Sequence, residues 1–437
     1  MSLSTKTGFM PIVAPRCGDK MYSPLKLNIC MLLYKCYDPD MPARPAVREI
    51  YGNCFPNMGH KVTWIMPAQT SQKEIQGVPF GDVRIFTIPY HTSSFLPKKV
   101  FAQLVFLWKE VKLASRVIRR EGCNIIQVRN GVFEGLLSIY LKRKYEIPFI
   151  FQYSFPLTEE SLTKYDPSLG KFFYLMGKFQ RLVLPFIMHK ADLIFPISER
   201  MMEDLVNNGI PKAKMMPLPL GVNTELFSPA VAGDRIRTRY DLSNSKVIVY
   251  LGTMDKLRQS DILMHSMARL KPDRQDVKLL MVGDGNDRAN LEKLAHNLGL
   301  GDDIIFTGQV PYFEVPQFIA AADIGLSPVP PLDIFKVSSP CKLFEYMAMA
   351  RPVMANEEIP EHKEVLEQSR GGVLVPFTPE AFAGAIIELL DNPKKAAETG
   401  RRGREWVVKN RSYEILAREV EKRYFELLHG RELSHDK

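Results

Sequence analysis

Cysteine is scarce in this chain, and its six positions, 17, 30, 36, 54, 123 and 341, include no Cys-x-x-Cys pair. That scatter excludes the ligand spacing of a zinc ribbon and suggests no disulfide framework, so the cysteines read as core residues of a reducing compartment. Long apolar runs are missing as well: nowhere do about eighteen consecutive apolar residues occur, which leaves no segment to span a bilayer. The first 25 residues lack a charged start followed by an apolar stretch and a small-residue cleavage site, so a cytoplasmic protein is expected. Acidic residues are outnumbered, 49 Asp and Glu against 58 Lys and Arg, for a formal charge of +9. That balance favours an anionic partner such as a nucleotide, an acidic membrane surface or nucleic acid, without choosing among them.

At 437 residues and 46% hydrophobic, the chain is long enough for two cores. Its second half alternates short apolar runs with amphipathic segments: strands at 247–252, 277–282, 304–307 and 324–328, and helices from Asp261, at 288–298 and at 313–322. Such alternation predicts a parallel sheet with helices on both faces, with ligands outside the carboxyl ends of the strands. Glycines stand at those ends: Gly252, Gly283 with Gly285, and Gly308. Residues 338–366 then place a helix start, an apolar helix face, a carboxylate and a buried strand in succession. Ser339 reads as an N-cap and Pro340 as the first helical residue. The N–H groups near Cys341 and Lys342, with the positive end of the helix dipole, form a seat for an anion. Lys342 and Glu345, three residues apart, share one helix face.

In the first half, strands are expected at 27–33, 62–66, 125–128, 149–153 and 193–196, with helices at 46–55, 101–120, 135–144 and after Ser198, and a short strand beyond Pro211. Residues 1–25 read as a loose arm. Helix 101–120 is expected to bury Phe101, Leu104, Val105, Trp108, Val111 and Val117 or Ile118 on the sheet. Lys171–Lys190, basic and strongly apolar, is expected to meet an anionic membrane surface, with Pro185 as a break or kink; a core helix with basic ends is the competing reading. Asp38-Pro39-Asp40 has the form of a metal-binding Asp-x-Asp, but acidic residues beside proline are ordinary turn chemistry, and a turn is preferred. No metal site is expected. The Pro-rich run 216–229 marks the domain boundary.

SPCKLFEYMAMARPVMA, residues 339–355, resembles the donor-site segment of glycosyltransferase family 4, the retaining enzymes that use nucleotide sugars. Residues 191–229 and the GHKVT run at 59–63 follow the same family's pattern. The resemblance implies an α/β protein of GT-B fold: two Rossmann-like domains facing a cleft, with a C-terminal helix returning to the N-terminal domain. Residues 1–223 plus the returning helix 411–437 would form an acceptor-binding domain, and 224–410 the nucleotide-sugar domain. The implied reaction moves a hexose from a nucleotide-diphosphate sugar to a hydroxyl of a glycan or lipid-linked acceptor, without a cofactor. A catalytically silent scaffold of the same fold, or a phosphorylase or epimerase, is the alternative.

Carried over position by position, the resemblance makes Arg258 a cation for the leaving diphosphate and Glu345 the carboxylate for the ribose hydroxyls; the place of Lys342 on the helix start makes it the expected second cation. Gly252, Gly283, Gly285, Gly308, Val310, Ser339, Pro340 and Cys341 would complete the donor site, with the base near Val310 and Tyr312; because Val337 is apolar, backbone N–H groups around Ile359 to Glu361, or another residue, are expected to hold the hexose. Arg129, read from its place at the carboxyl end of the 125–128 strand, and Tyr153 and Ser154 are expected to face the acceptor. The chain also departs from the family. Val337 stands where a glutamate contacts the hexose, Thr253 where an arginine is common, Tyr153 and Ser154 where a histidine faces the donor, and Leu220 where an asparagine is usual; the loop after the first strand lacks a Gly-Gly pair. The partners implied are a nucleotide sugar, a glycan or lipid-linked acceptor and an anionic membrane surface, not nucleic acid.

Overall fold

The computed structural model describes residues 26–38, 43–68, 78–80, 82–90, 96–156 and 171–435. The N-terminal arm and residues 39 and 40 of the Asp-Pro-Asp motif lie outside them. Two sheets organise the chain. The first runs β1 (Asn28–Leu33), β2 (Lys61–Ala68), β3 (Val78–Phe80), β4 (Val83–Pro89), β5 (Ile125–Arg129), β6 (Phe149–Tyr153) and β7 (Leu193–Pro196), in spatial order β3-β4-β2-β1-β5-β6-β7. All pairs are parallel except the β3–β4 hairpin. The second holds β8 (Lys246–Leu251), β9 (Val277–Val282), β10 (Ile304–Gly308), β11 (Ile324–Ser327), β12 (Val353–Asn356) and β13 (Gly372–Val375), in order β10-β9-β8-β11-β12-β13. Both therefore reverse strand order beside their first strand, between β1 and β5 and between β8 and β11, and such a reversal opens a crevice at the carboxyl edge. This is the GT-B plan. The strands are buried on both faces, as sheets covered by helices on each side require.

The chain crosses back at its end. Helix Tyr413–His435 buries Tyr413, Leu416, Ala417, Val420 and Tyr424 against residues of β1, β2 and the 45–57 helix in the first lobe. Its polar groups are matched: the Tyr424 hydroxyl donates to buried Gln127, the Tyr51 hydroxyl lies 3.3 Å away, and His60 meets Glu421 at 2.6 Å. Where the outgoing linker and the returning chain meet they pair, Val222 N–H donating to Arg411 at 2.9 Å and Tyr413 N–H to Val222 at 3.2 Å. Two adjacent strands of backbone thus join the lobes.

Several elements differ from the sequence expectation. Helix Leu96–Glu121 buries Phe106, Leu113, Ala114, Val117 and Ile118, while Leu104 and Trp108 are 61% and 58% exposed. The misleading residue is Glu110, a carboxyl that is fully buried in the middle of that inner face and breaks its apolar pattern. The segment beyond Pro211 is a 3₁₀ turn and a single bridge from Met215 to Ile194 rather than a strand. The helix expected at 313–322 is a 3₁₀ turn, Tyr312–Glu314, followed by Val315–Ala320. Lys171–Lys190 stays helical through Pro185. The β3–β4 hairpin, β13 and helices Asp234–Arg239, Pro379–Asp391 and Pro393–Asn410 were not anticipated. No described helix is long and apolar enough to cross a membrane.

Candidate active site

The carboxyl ends of β8, β9 and β10 turn so tightly that backbone meets backbone. Gly283, at φ +136°, donates its N–H to Gly308 at 3.0 Å, and a Cβ there would lie 2.0 Å from the Gly252 carbonyl oxygen. Gly252, at φ +143°, leaves room for the Lys342 ammonium, which would stand 3.1 Å from a Cβ. At Gly283 a side chain is excluded by space as well as by backbone conformation, and at Gly252 the positive φ alone disfavours one. Gly285 is crowded in the same way by Met254, and Gly308 faces the Arg288 guanidinium.

Opposite these turns begins helix Cys341–Ala348. Its N-cap is Pro340, without a side-chain cap bond, so the helix starts one residue later than expected. Ser339 is used elsewhere: it accepts the Leu220 N–H at 2.9 Å, tying the linker to the second lobe. Cys341 is exposed at the helix tip. Lys342 lays its ammonium 3.9 Å over the Tyr250 ring, and the Arg258 guanidinium lies 4.5 Å over Phe335. The two cations are close enough that desolvation and Arg258 together lower the Lys342 pKa. Tyr250 and Phe335 were missed by sequence reasoning, although an aromatic near a strand end or beside a Lys or Arg is the signal for such a platform.

Beneath the cations sits Glu345, 6% exposed. Burial pushes its carboxyl up to about 7, against the opposing pull of Lys342. Val310 packs beside the second lobe's core at this edge. Behind the site, His362 bridges Ser327 and the Asn356 carbonyl at 3.0 Å each, and burial lowers its pKa to about 4, which keeps it neutral.

Ile359 is fully buried and its N–H is directed to the Asn356 carbonyl at 3.5 Å, and Pro360 has no N–H. Glu361 is 5% exposed and stands 3.7 Å from Arg411; burial pushes it up to about 8 despite Arg411 and Ser339. Val337 packs into the first lobe's core, and its carbonyl accepts from Ser198 at 2.8 Å. Its side chain closes the interface between lobes.

In the first lobe, Arg129 Nε donates to Ser154 Oγ at 3.1 Å, and Asn130, in a left-handed conformation, accepts the Ser154 N–H at 2.7 Å. Arg129 also lines a small cleft with Tyr34, Lys35 and Arg44, and burial lowers its pKa. Tyr153 does not join them: it is 7% exposed and stacks on Phe151 within the core. A larger cavity, about 650 Å³, opens between the lobes beside the returning helix, lined by Ser198, Lys336, Glu361 and Arg411 among others but by none of Arg258, Lys342 and Glu345. Among the described residues no three His, Cys, Asp or Glu side chains gather as a metal site.

Residues 51–226 match the family described as Glycosyltransferase Family 4, and residues 234–406 match Glycosyl transferases group 1. The GDP-mannose-dependent alpha-(1-6)-phosphatidylinositol monomannoside mannosyltransferase of Mycolicibacterium smegmatis is 29% identical over 256 residues, 57% of this chain and 65% of that protein. Its Mycobacterium tuberculosis counterpart is 29% identical over 47% of this chain and 54% of its own length, so the match spans less than two thirds of these relatives. The alpha-monoglucosyldiacylglycerol synthase of Streptococcus pneumoniae is 22% identical over 74% of this chain and 69% of that protein. Among solved structures, sucrose-phosphate synthase of Thermosynechococcus elongatus superposes with a TM-score of 0.71 at 21% identity, covering 92% of this chain and 100% of the other. An Anabaena protein crystallised with UDP superposes at 0.65 and 15% identity, over 92% and 100%.

Proposed function

Because the chain belongs to glycosyltransferase family 4, we propose that it transfers a hexose, with retention, from a nucleotide-diphosphate sugar to a hydroxyl of a lipid-linked or glycan acceptor. The observation that carries this reading is the convergence of Arg258 and Lys342 on the helix start at Cys341, above buried Glu345. In the proposed step the bond from the anomeric carbon to the diphosphate oxygen breaks ahead of attack. The acceptor hydroxyl then bonds to that carbon on the same face and passes its proton to the departing oxygen. Negative charge grows on the diphosphate, and the two cations with the helix tip are already aimed where it grows. Positive charge from side chains thus serves without a divalent ion, and turnover is expected to survive excess EDTA unchanged. Loss of activity in EDTA, restored by a divalent cation, would overturn metal independence. Calorimetry with UDP and with GDP tests the donor site; binding of neither would overturn the assignment.

The acceptor side is read from the outer face of the first lobe. Helices Leu96–Glu121, Val132–Tyr145 and Lys171–Lys190 lie side by side there. They expose Leu104, Trp108, Tyr140, Phe179, Leu182 and Phe186, with Leu182 at 80%. Cations sit on these rings, Lys112 at 3.5 Å from the Trp108 centroid and Lys190 at 5.8 Å from that of Phe186. Acid is withheld from this face: Lys171–Lys190 has none, Glu110 and Glu134 are buried, and Glu121 is paired with Arg84 at 2.7 Å. Basic side chains around exposed aromatics suit an anionic bilayer interface. The relatives named for phosphatidylinositol monomannoside and diacylglycerol acceptors agree with a lipid-linked substrate. Sedimentation with vesicles should show binding to anionic but not neutral lipid, falling steeply as salt is raised. Equal partitioning to both would remove the membrane reading.

A further inference from the structure

The first lobe touches the donor site through an unusual element. Arg48–Cys54 is wound as a π-helix, with the Phe55 N–H bonded to the Ile50 carbonyl, and π turns are rare and favour functional positions. Its first residue, Arg48, reaches into the second lobe, where its guanidinium lies 4.8 Å from the ring centroid of Tyr312. Glu49 holds it there, accepting from Nε at 2.9 Å and Nη2 at 2.7 Å. Glu49 is itself 4% exposed, and its other oxygen accepts from Asn53 at 2.9 Å and from Asn223 of the interlobe linker at 3.1 Å. On the far side, the Tyr312 ring meets Phe227 edge-on at 5.6 Å and packs against the core that holds Phe344 and Tyr346, the chain neighbours of Glu345, whose charge helps push the Tyr312 phenol up. A continuous line of contacts runs from the linker through Glu49 and Arg48 to Tyr312, beside the helix that carries Glu345.

We propose that Arg48 is a positioning residue for the donor: from the opposite lobe it fixes the Tyr312 ring, beside which the Glu345 carboxylate is set toward the nucleotide ribose. The ribose contact is therefore complete only when the lobes hold the arrangement seen here. Glu49 already neutralises Arg48, so Arg48 supplies a geometric hold and not a charge for Glu345. This role rests on the reading of Glu345 as the ribose carboxylate.

Calorimetry with UDP and GDP on the wild type, Arg48→Ala, Tyr312→Leu and the double variant tests it, alongside donor KM and kcat. Each single change is expected to weaken the better-bound nucleotide about 3- to 20-fold, the range of a partly buried cation–π contact. The loss should appear in donor KM with kcat little altered, and the double variant should lose no more than the weaker single, because both act through one contact line. Arg48→Lys, which keeps a cation over the ring, should recover part of the loss. Wild-type affinity in Arg48→Ala, or additive losses in the double variant, would overturn the role of Arg48. Should Arg48→Ala fail to fold, Tyr312→Leu decides, since it removes the ring but keeps an apolar side chain, and unchanged affinity there is equally fatal. Binding of neither nucleotide by the wild type would instead bring down the functional reading beneath it.

Discussion

Replacing Arg258 with Ala should lower kcat by about 10²- to 10³-fold, the cost of removing one preorganised partner of a developing anion. The residue sits in the 3₁₀ turn Lys256–Arg258, beyond the crowded Gly252 corner, and its guanidinium is braced on the Phe335 ring. It is half-buried and makes its charge available beside Lys342 and the tip of helix Cys341–Ala348. Without it, the leaving diphosphate retains Lys342 and the helix dipole alone. The effect belongs in kcat at saturating donor, because the charge it meets is larger in the transition state than in the bound substrate. Arg258→Lys should recover only part of the rate, since an ammonium lacks the planar fork and the stacked face. Turnover unchanged in Arg258→Ala would remove the residue from the mechanism.

Replacing Glu345 with Ala should weaken nucleotide binding about 10- to 100-fold, the scale of hydrogen bonds made by a charged group. This loss carries a pH signature. Burial raises the carboxyl to about 7, so in the free protein it is protonated below that value and ionised above it. On the proposed reading it is the ionised form that accepts from ribose hydroxyls, and donor affinity should therefore rise as pH increases through about 7 and level off above it. The sign follows from linkage: a ligand that prefers the deprotonated carboxyl binds with release of a proton. In Glu345→Gln, calorimetry should find this step flattened. A wild-type affinity that falls with rising pH across the same range would contradict the assignment.

How much of this could be read from residues alone differs between the lobes. In the second lobe the strand-and-helix alternation, the glycines at 252, 283, 285 and 308, and the run from Ser339 onward are local signals, each set by a few neighbouring residues. The structure shifts one of them by a residue: the helix begins at Cys341 instead of Pro340, and Ser339, the expected cap, is committed to the Leu220 N–H. In the first lobe the outward face of helix Leu96–Glu121 was misread, because a buried carboxyl at Glu110 interrupts the inner stripe and the aromatic Trp108 mimics it. Tyr153 was likewise assigned to the acceptor edge when its side chain packs with Phe151.

Periodicity, turn residues and helix-start chemistry act over fewer than about ten residues, so the sequence by itself determined the alternating strands and helices of the second lobe, and its resemblance to a known family implied the two-lobed plan. Tertiary structure alone decided which aromatic rings carry Lys342 and Arg258, that Val337 and Ser339 serve the seam between lobes, and that Arg48 stands over Tyr312. Arg48 and Tyr312 are 264 positions apart in the chain, and nothing in the local pattern of either names the other. Their meeting depends on how two separately folded sheets come to rest against a shared linker, which is a property of the whole chain's packing.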